Sequence, residues 1–434
     1  MTSMAQTTKF TVVIPTRERC NTLYWALQTC VTQQYANLEI IVSDNASQDS
    51  THDVVMRFND PRIRYINTGQ RVSMTANWEF ALGHVGDSYV MFIGDDDGLM
   101  PEALHDLDRL IRKTKTQAIS WEKVYYYWPS YWDETLRDIL SMPLRAGHQT
   151  LDAAEMLQRV LVSQRTYLHL PCIYNGFVHR DVIRRAQHGA ERFFHSMIPD
   201  VYSSIALTSV LDTYLYSMRP YSIAGMSGHS AGSSFLHAYH MPKPKRSTES
   251  SQHTPVPTAS AAHFFAENDL AFHPKLVISS AVAIFTAESF LQATDFVPEV
   301  RRFHLDMRSV LTNAVKEAVI SPPKKYEAII NSVREIGAIN DLQVFVENLI
   351  TQNPNTPVEI KLTFGLNILH RTLRIRTEDF SVYNIFTAAQ LYHHILTLNK
   401  HRYFALTNII RTSADIGLKL AKRWLKRKFC GAKG

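Results

Sequence analysis

"KFTVVIPTRERCNTLYWALQTCVTQQYANLEIIVSDNASQDST", residues 9–51, opens with a short apolar run rich in β-branched residues. It passes through a stretch with helical spacing and returns to a second apolar run ending in an aspartate. Strand, helix, strand is the repeat of a parallel sheet, because the crossover needs a helix's length of chain. The repeat continues outward. "RIRYIN" (62–67), "SYVMFIG" (88–94) and "QAISW" (117–121) read as strands. "SQDSTHDVVMRFN" (47–59), "SMTANWEFALGHV" (73–85) and "PEALHDLDRLIRK" (101–113) read as the helices between them. Short apolar strands alternating with helices predict a mostly parallel, twisted sheet covered on both faces. Such a sheet takes its ligand at the carboxyl ends of its strands.

Three of those ends carry the chemistry. The first strand ends in "IPTRER" (14–19), the second in "VSDNASQDST" (42–51) and the fourth in "IGDDDGLMP" (93–101). Three adjacent carboxylates at the end of a core strand repel one another and are costly to bury. Asp95, Asp96 and Asp97 therefore call for a partner. A divalent cation with hard oxygen ligands, Mg²⁺ or Mn²⁺, resolves the repulsion and would bind phosphates directly. The plainer alternative is an acidic turn capping the helix that begins near Pro101, since carboxylates favour helix N-termini. Asp44 has two readings: an acceptor for the imide N–H of a nucleobase, or an Asx-turn residue in "DNAS".

The ordered set of "VVIPTRER", "TQQYANLEIIVSD" with Gln33, "DNASQDST" and "GDDDG" resembles family-2 glycosyltransferases of the GT-A fold, of bacterial surface-polysaccharide type. The resemblance is good over residues 8–110, weakens to about 230 and stops before the C-terminal region. It implies a metal-dependent inverting transfer of a sugar from a nucleoside-diphosphate donor, a UDP-sugar favoured, to a glycan or lipid-linked acceptor. Pro15 and Thr16 would lie against the nucleoside, with Arg17 beside them. Asp44 would read the base and Asp95 the ribose. Asp96 and Asp97 are the metal candidates, the family pattern falling on Asp96. The first acid of the commoner D-x-D form would fall on Gly94. Arg71, near Asn77, is a candidate diphosphate contact or an exposed arginine. An inverting transfer also needs a base for the acceptor hydroxyl. "HSMIPDVYSSIAL" (195–207) puts Asp200 at the family's usual distance, at a helix start where an acid is also ordinary capping chemistry. Asp212, Glu191 and His195 are the reserves.

Two further features stay open. "VYYYWPSYW" (124–132) is either a stacking platform for an acceptor sugar or a buried aromatic seam. His229, His237 and His240 lie in "SGHSAGSSFLHAYH" (227–240), where His229 could reach a metal or make ordinary polar contacts.

Beyond residue 150 the chain changes character. "LDAAEMLQRVLVS" (151–163) and "DVYSSIALTSVLDTYL" (200–215) read as helices. Residues 241–259 hold the Pro-, Ser- and Lys-rich "MPKPKRSTESSQHTPVPT" and read as a mobile linker. Residues 260–434 are helix-like. The expected layout is a GT-A domain over 1–240, the linker over 241–259, and a helical C-terminal region over 260–434.

Bulk properties set limits. Of 434 residues, 45% are hydrophobic and 20% charged, an ordinary globular balance. The four cysteines have no paired spacing, which argues against a disulfide framework or a zinc site. No apolar run suggests a signal peptide or a membrane span. The net charge of +6 is concentrated in residues 416–434, which hold seven Lys or Arg and no acid. The remainder is close to neutral, so no nucleic acid partner is expected. In this tail Leu418, Ala421, Leu425 and Phe429 form one apolar helical face among basic residues. It reads as a helix lying on an anionic membrane surface, or as a solvated terminal helix. The protein is expected in the cytoplasm, docked on the inner face of the cell membrane if the tail so acts. Two rival functions remain: a nucleotidyltransferase, disfavoured because "IPTRERCNTL" has no glycine-rich phosphate loop, and a non-catalytic sugar or nucleotide binder.

Overall fold

A computed structural model describes residues 7–174, 176–230, 267–357, 363–367 and 369–397. The linker and the basic tail, with His237 and His240, lie outside the described residues. The chain begins β1 (Phe10–Thr16), α1 (Cys20–Val31), β2 (Leu38–Asp44), α2 (Thr51–Met56), β3 (Ile63–Asn67), α3 (Met74–Gly83) and β4 (Tyr89–Phe92). There follow β5 (Gly98–Leu99), α4 (Ala103–Thr114), β6 (Ala118–Trp121), β7 (Val124–Tyr127), β8 (Ile139–Pro143), β9 (His148–Asp152) and α5 (Ala153–Leu161). Then come β10 (Gly176–His179), α6 (Arg180–Gln187), α7 (Pro199–Ser209), β11 (Thr213–Ser217) and β12 (Ser222–Met226).

The main sheet runs β3-β2-β1-β4-β10-β6-β11-β9. Its first four strands are parallel, as the repeat predicts. The sheet is mixed but mostly parallel, as expected: only β10, antiparallel to β4 and β6, and β9, antiparallel to β11, run against the other strands. β10 is four residues long and carries no period of its own to read. Successive residues of β1 and β2 enter opposite cores, as pleating requires. Val12, Ile14, Ile40 and Val42 face Leu23 and Leu27 of α1 and Leu104 and Leu107 of α4. Val13 and Ile41 face the other side, with Phe92 of β4, Trp78 of α3 and Ile205 of α7. Trp78 stacks on Phe92 with ring centroids 4.8 Å apart. Each such buried ring contributes about 2–3 kcal/mol of transfer free energy. Ser73 caps α3 by accepting the Ala76 N–H at 3.0 Å, and Asn77 holds the helix to β2 through Ser43.

A second sheet, β13-β14-β8-β7-β12-β5, packs beside the first. Its outer strands β13 (Gly365–Asn367) and β14 (Thr372–Arg376) come from the C-terminal region, with β14 antiparallel to β8. The region expected to be helical thus contributes a hairpin to the N-terminal domain's sheet. Residues 385–397 are helical and return to the same core through Ile385, Leu391 and Tyr392, whose hydroxyl donates to Pro143 O at 2.6 Å. The helices Val282–Phe296, Met307–Val319, Pro323–Ile339 and Gln343–Gln352 make up the rest, the first packing on α7. The helix expected over 200–215 ends at Ser209. Thr213–Ser217 is instead β11, whose Tyr214 and Leu215 point to opposite faces between β6 and β9. Among the described residues no helix is long and apolar enough to cross a membrane.

Candidate active site

The acidic turn leaves β4 at its carboxyl end and re-enters the fold through β5, antiparallel to β12. Asp95, Asp96 and Asp97 are 1%, 4% and 1% exposed. They do not cap α4; each is held separately. Asp95 accepts from the Thr16 hydroxyl at 2.7 Å and from Arg19 Nη1 at 3.1 Å. Asp96 Oδ2 accepts from the hydroxyl and the backbone N–H of Ser227, at 2.6 and 3.2 Å. Asp97 accepts from Gly94 N at 2.8 Å, Tyr174 OH at 2.6 Å and Gly225 N at 2.7 Å. The indole of Trp128 donates to the Asp96 carbonyl at 3.1 Å.

Two glycines make this packing possible. A Cβ on Gly94 would stand 2.8 Å from Asp96 Oδ1, so an acid at that position of the D-x-D pattern would require the Asp96 side chain to shift. A Cβ on Gly225 would fall 1.8 Å from the Asp96 carbonyl oxygen, a contact only glycine avoids.

The charge balance shows what is missing. Arg19 neutralises one of three buried carboxylates. Burial, and then the charges of Asp97 and Asp95, holds the Asp96 carboxyl well above the usual range. A cation beside Asp96 would take the place of the proton that burial drives onto it. The donors are hard oxygens, which fit Mg²⁺ or Mn²⁺. Among the described residues no three His, Cys, Asp or Glu side chains form a ready cage. Asp97, expected as a second ligand, already meets three protein donors and ties the turn to Tyr174 and to Gly225 of β12.

Asp44, at the end of β2, is 1% exposed. Its Oδ1 accepts from Ser47 N at 3.0 Å, three residues on and so a turn contact one residue longer than an Asx turn, while Oδ2 accepts from Tyr65 OH at 2.6 Å and Asn67 Nδ2 at 3.1 Å. These bonds give Asp44 a turn-holding role like the one the second sequence alternative expects. Pro15 pairs with Ser43 across β1 and β2, beside Thr16 and Asp44. Arg17 and Arg71 converge on one carboxylate, that of Glu267. Gln33 is buried and ties α1 to the acidic turn by donating to Met100 O at 2.9 Å.

Asp200 stands in the first turn of α7, after Pro199 at the helix start. Burial pushes its carboxyl up to about 6, against the opposing pull of the Val201 and Asp200 backbone N–H groups and of Lys123. Lys123, at the β6–β7 connection, is pushed down to about 8 by burial, with Cys172, Asp97 and Asp200 acting the other way. Tyr174 feels Asp97, Asp96 and Asp200 together. Tyr174 and Lys123, each close enough to feel both Asp97 and Asp200, thus link the acidic turn to the start of α7. The reserves lie elsewhere. Asp212 is beyond the opposite end of α7, about 16 Å along the axis, and Glu191 is exposed. The His195 ring stacks on Phe296 at 3.6 Å, and burial lowers its pKa to about 4. His229 contributes its backbone: its carbonyl accepts from Arg19.

In the aromatic stretch Tyr126, Trp128 and Tyr131 are buried, while Tyr125, Tyr127 and Trp132 are half-buried. Sequence reading missed Arg19, Lys123, Tyr174, Gly225 and Ser227. Only the small residues in "AGMSG" (224–228) hinted at a close backbone approach.

Residues 11–174 match the family model described as Glycosyl transferase family 2. Over 102 residues the chain is 35% identical to the GalNAc(5)-diNAcBac-PP-undecaprenol beta-1,3-glucosyltransferase of Campylobacter jejuni, covering 23% of this chain and 33% of that protein. Over 114 residues it is 25% identical to the UDP-Glc:alpha-D-GlcNAc-diphosphoundecaprenol beta-1,3-glucosyltransferase WfaP of Escherichia coli, covering 26% of this chain and 42% of the relative. The matches therefore span less than half the length of either relative. Among solved structures, S. aureus TarS 1–349 in complex with UDP-GlcNAc aligns with 81% of this chain and 94% of its own, at 13% identity and a TM-score of 0.43. The likeness to family 2 glycosyltransferases thus lies in residues 11–174, the part of the chain that carries the acidic turn.

Proposed function

We infer that the protein moves a sugar from a nucleoside-diphosphate donor, a UDP-sugar favoured, to a glycan or lipid-linked acceptor, with inversion and with Mn²⁺ or Mg²⁺. The observation that carries this reading is the juxtaposition, read as one cleft, of a buried acidic turn at the carboxyl end of β4, in which Arg19 pairs with Asp95, and of Asp200, the two linked by Tyr174 and Lys123. The names of the undecaprenol-linked relatives support the donor and acceptor classes.

Each residue has a role in this reading. Pro15 and Thr16 line the nucleoside, Asp44 accepts from the base and Asp95 from the ribose. Arg17 and Arg71 meet the diphosphate. Asp96 holds the ion, while Asp97 fixes the turn. When bound, the ion supplies Lewis-acid neutralisation of the leaving diphosphate. Asp200 takes the proton of the acceptor hydroxyl as that oxygen attacks the anomeric carbon from the face opposite the diphosphate. A carboxylate with a pKa near 6 is a better base than an ordinary one and is still ionised at neutral pH. Lys123 keeps a positive charge beside it. The tail, residues 416–434, would bring the cleft to a lipid-linked acceptor by lying on the anionic inner face of the cell membrane; several basic residues at about 1 kcal/mol each suffice for reversible docking.

The test is a screen of nucleotide sugars for donor hydrolysis and transfer, with Mn²⁺ and with chelator. Metal-dependent turnover of one donor class supports the reading. Binding without turnover of any donor leaves a sugar-nucleotide binder, and no binding removes the donor altogether. For the tail, deletion of 416–434 should abolish flotation with anionic vesicles and spare donor hydrolysis; equal flotation contradicts that role.

A further inference from the structure

Glu267 reaches back across the chain to the two arginines assigned to the donor. Its Oε2 accepts from Arg17 Nη1 at 2.7 Å, and its Oε1 lies 2.6 Å from Arg71 Nη2. One carboxylate thus bridges two guanidinium groups, one oxygen to each. Arg17 follows β1 directly and Arg71 precedes α3, so both stand at the carboxyl lip of the sheet. Two residues on, Asp269 accepts from the hydroxyl of Ser73, the N-cap of α3, and from Arg192 Nη1 at 3.2 Å. The acidic segment 267–269 therefore covers a set of groups that favours anions: two arginines, a helix N-terminus and a third arginine. The side chains of Arg17, Glu267 and Arg71 are 23%, 27% and 51% exposed, so the bridge is reachable by solute and not locked in the core.

We propose that Glu267 is an internal competitor for the donor's diphosphate, an acidic strap that Arg17 and Arg71 release when a nucleoside diphosphate takes its place. This rests on the nucleotide-sugar reading of the cleft. The chemistry is one of exchange: each arginine trades a carboxylate oxygen for a phosphate oxygen, with no bond made or broken. Because the strap's contacts and the ligand's exclude each other, the coupling is negative, and removing the carboxylate strengthens ligand binding. Coupling of this kind is commonly about 5–150-fold. A residue that merely held the arginines in place would give the opposite sign.

The experiment is calorimetric titration of the full chain with UDP in Mn²⁺, comparing wild type, Glu267→Gln and Glu267→Ala, each first shown by thermal melting to be folded. Glu267→Gln keeps the side chain's size and an amide oxygen, so it carries the comparison if Glu267→Ala does not fold. The expected result is UDP binding at least about fivefold tighter in the variants. A second measurement needs no substitution: saturating UDP should speed backbone hydrogen exchange over 267–272 in the wild type. Wild-type binding with no gain or a loss in the variants, or slowed exchange over 267–272, overturns the strap and leaves the donor site standing. Failure of all three proteins to bind UDP, GDP, CDP or dTDP overturns the donor reading itself and the strap with it.

Discussion

Ser227 donates both its hydroxyl and its backbone N–H to a single oxygen of Asp96, across 131 residues of sequence. This joins the acidic turn after β4 to the end of β12. It also fixes the carboxylate proposed to hold the ion. Ser227→Ala removes the shorter of the two bonds beside a buried carboxylate. A hydrogen bond to a charged group is worth about 1.5–3 kcal/mol, so Mn²⁺-dependent UDP binding should weaken by roughly ten- to a hundredfold. Titration of the folded variant reads this directly, and unchanged affinity would show that the N–H alone suffices.

Gly225→Ala should be far more damaging than its single methyl suggests. The added carbon would meet the Asp96 carbonyl oxygen at 1.8 Å, and both partners are backbone. Either β12 or the turn must move, at a cost of more than about 3 kcal/mol. Chemical denaturation should show that loss; a stability within 1 kcal/mol of wild type would contradict the packing described.

Asp200→Asn should leave donor affinity near wild type and lower transfer by about 10²-fold or more, the usual contribution of a positioned base. Collapse of donor affinity would mark Asp200 as structural.

The pH dependence of transfer gives a separate check on Asp200. Its carboxyl, faced by Lys123, Cys172, Tyr167 and Tyr174, has its folded pKa raised to about 6. The base is active when ionised, so kcat/KM should fall with unit slope below about pH 6. The stability term has the opposite sense. With the acid's folded pKa above its unfolded value of 3.8, stability is fully present below that value and is lost as pH rises to about 6. Asp200→Asn should abolish both trends. An acid limb near pH 4 would contradict the raised pKa.

What could be read from the sequence follows from how local each signal is. β1 to β4 carry their own apolar runs and are separated by helices with their own period, so their order and the acids at their ends were legible. β10 and β12 are four and five residues long, and their places depend on partners far away in the chain. Gly225 and Ser227 matter only because β12 brings them onto Asp96 and Asp97; the small residues of "AGMSG" (224–228) hint at a close approach but not at its partner. The β13–β14 hairpin was hidden for the same reason: alternation in "TLRIR" (372–376) is short, and what stabilises it is β8, more than 200 residues earlier. Tyr126 and Trp128 show the converse. An aromatic run signals burial or stacking alike, and only the packing decides between them.

The central claim is that Asp96 anchors a divalent ion to which a nucleoside diphosphate binds. Calorimetric titration of wild type and Asp96→Ala with UDP, in Mn²⁺ and in chelator, tests it most directly. Saturable binding is expected for the wild type in Mn²⁺ only, and none for the variant in either condition. Binding of equal strength in chelator, or by Asp96→Ala in Mn²⁺, would contradict it.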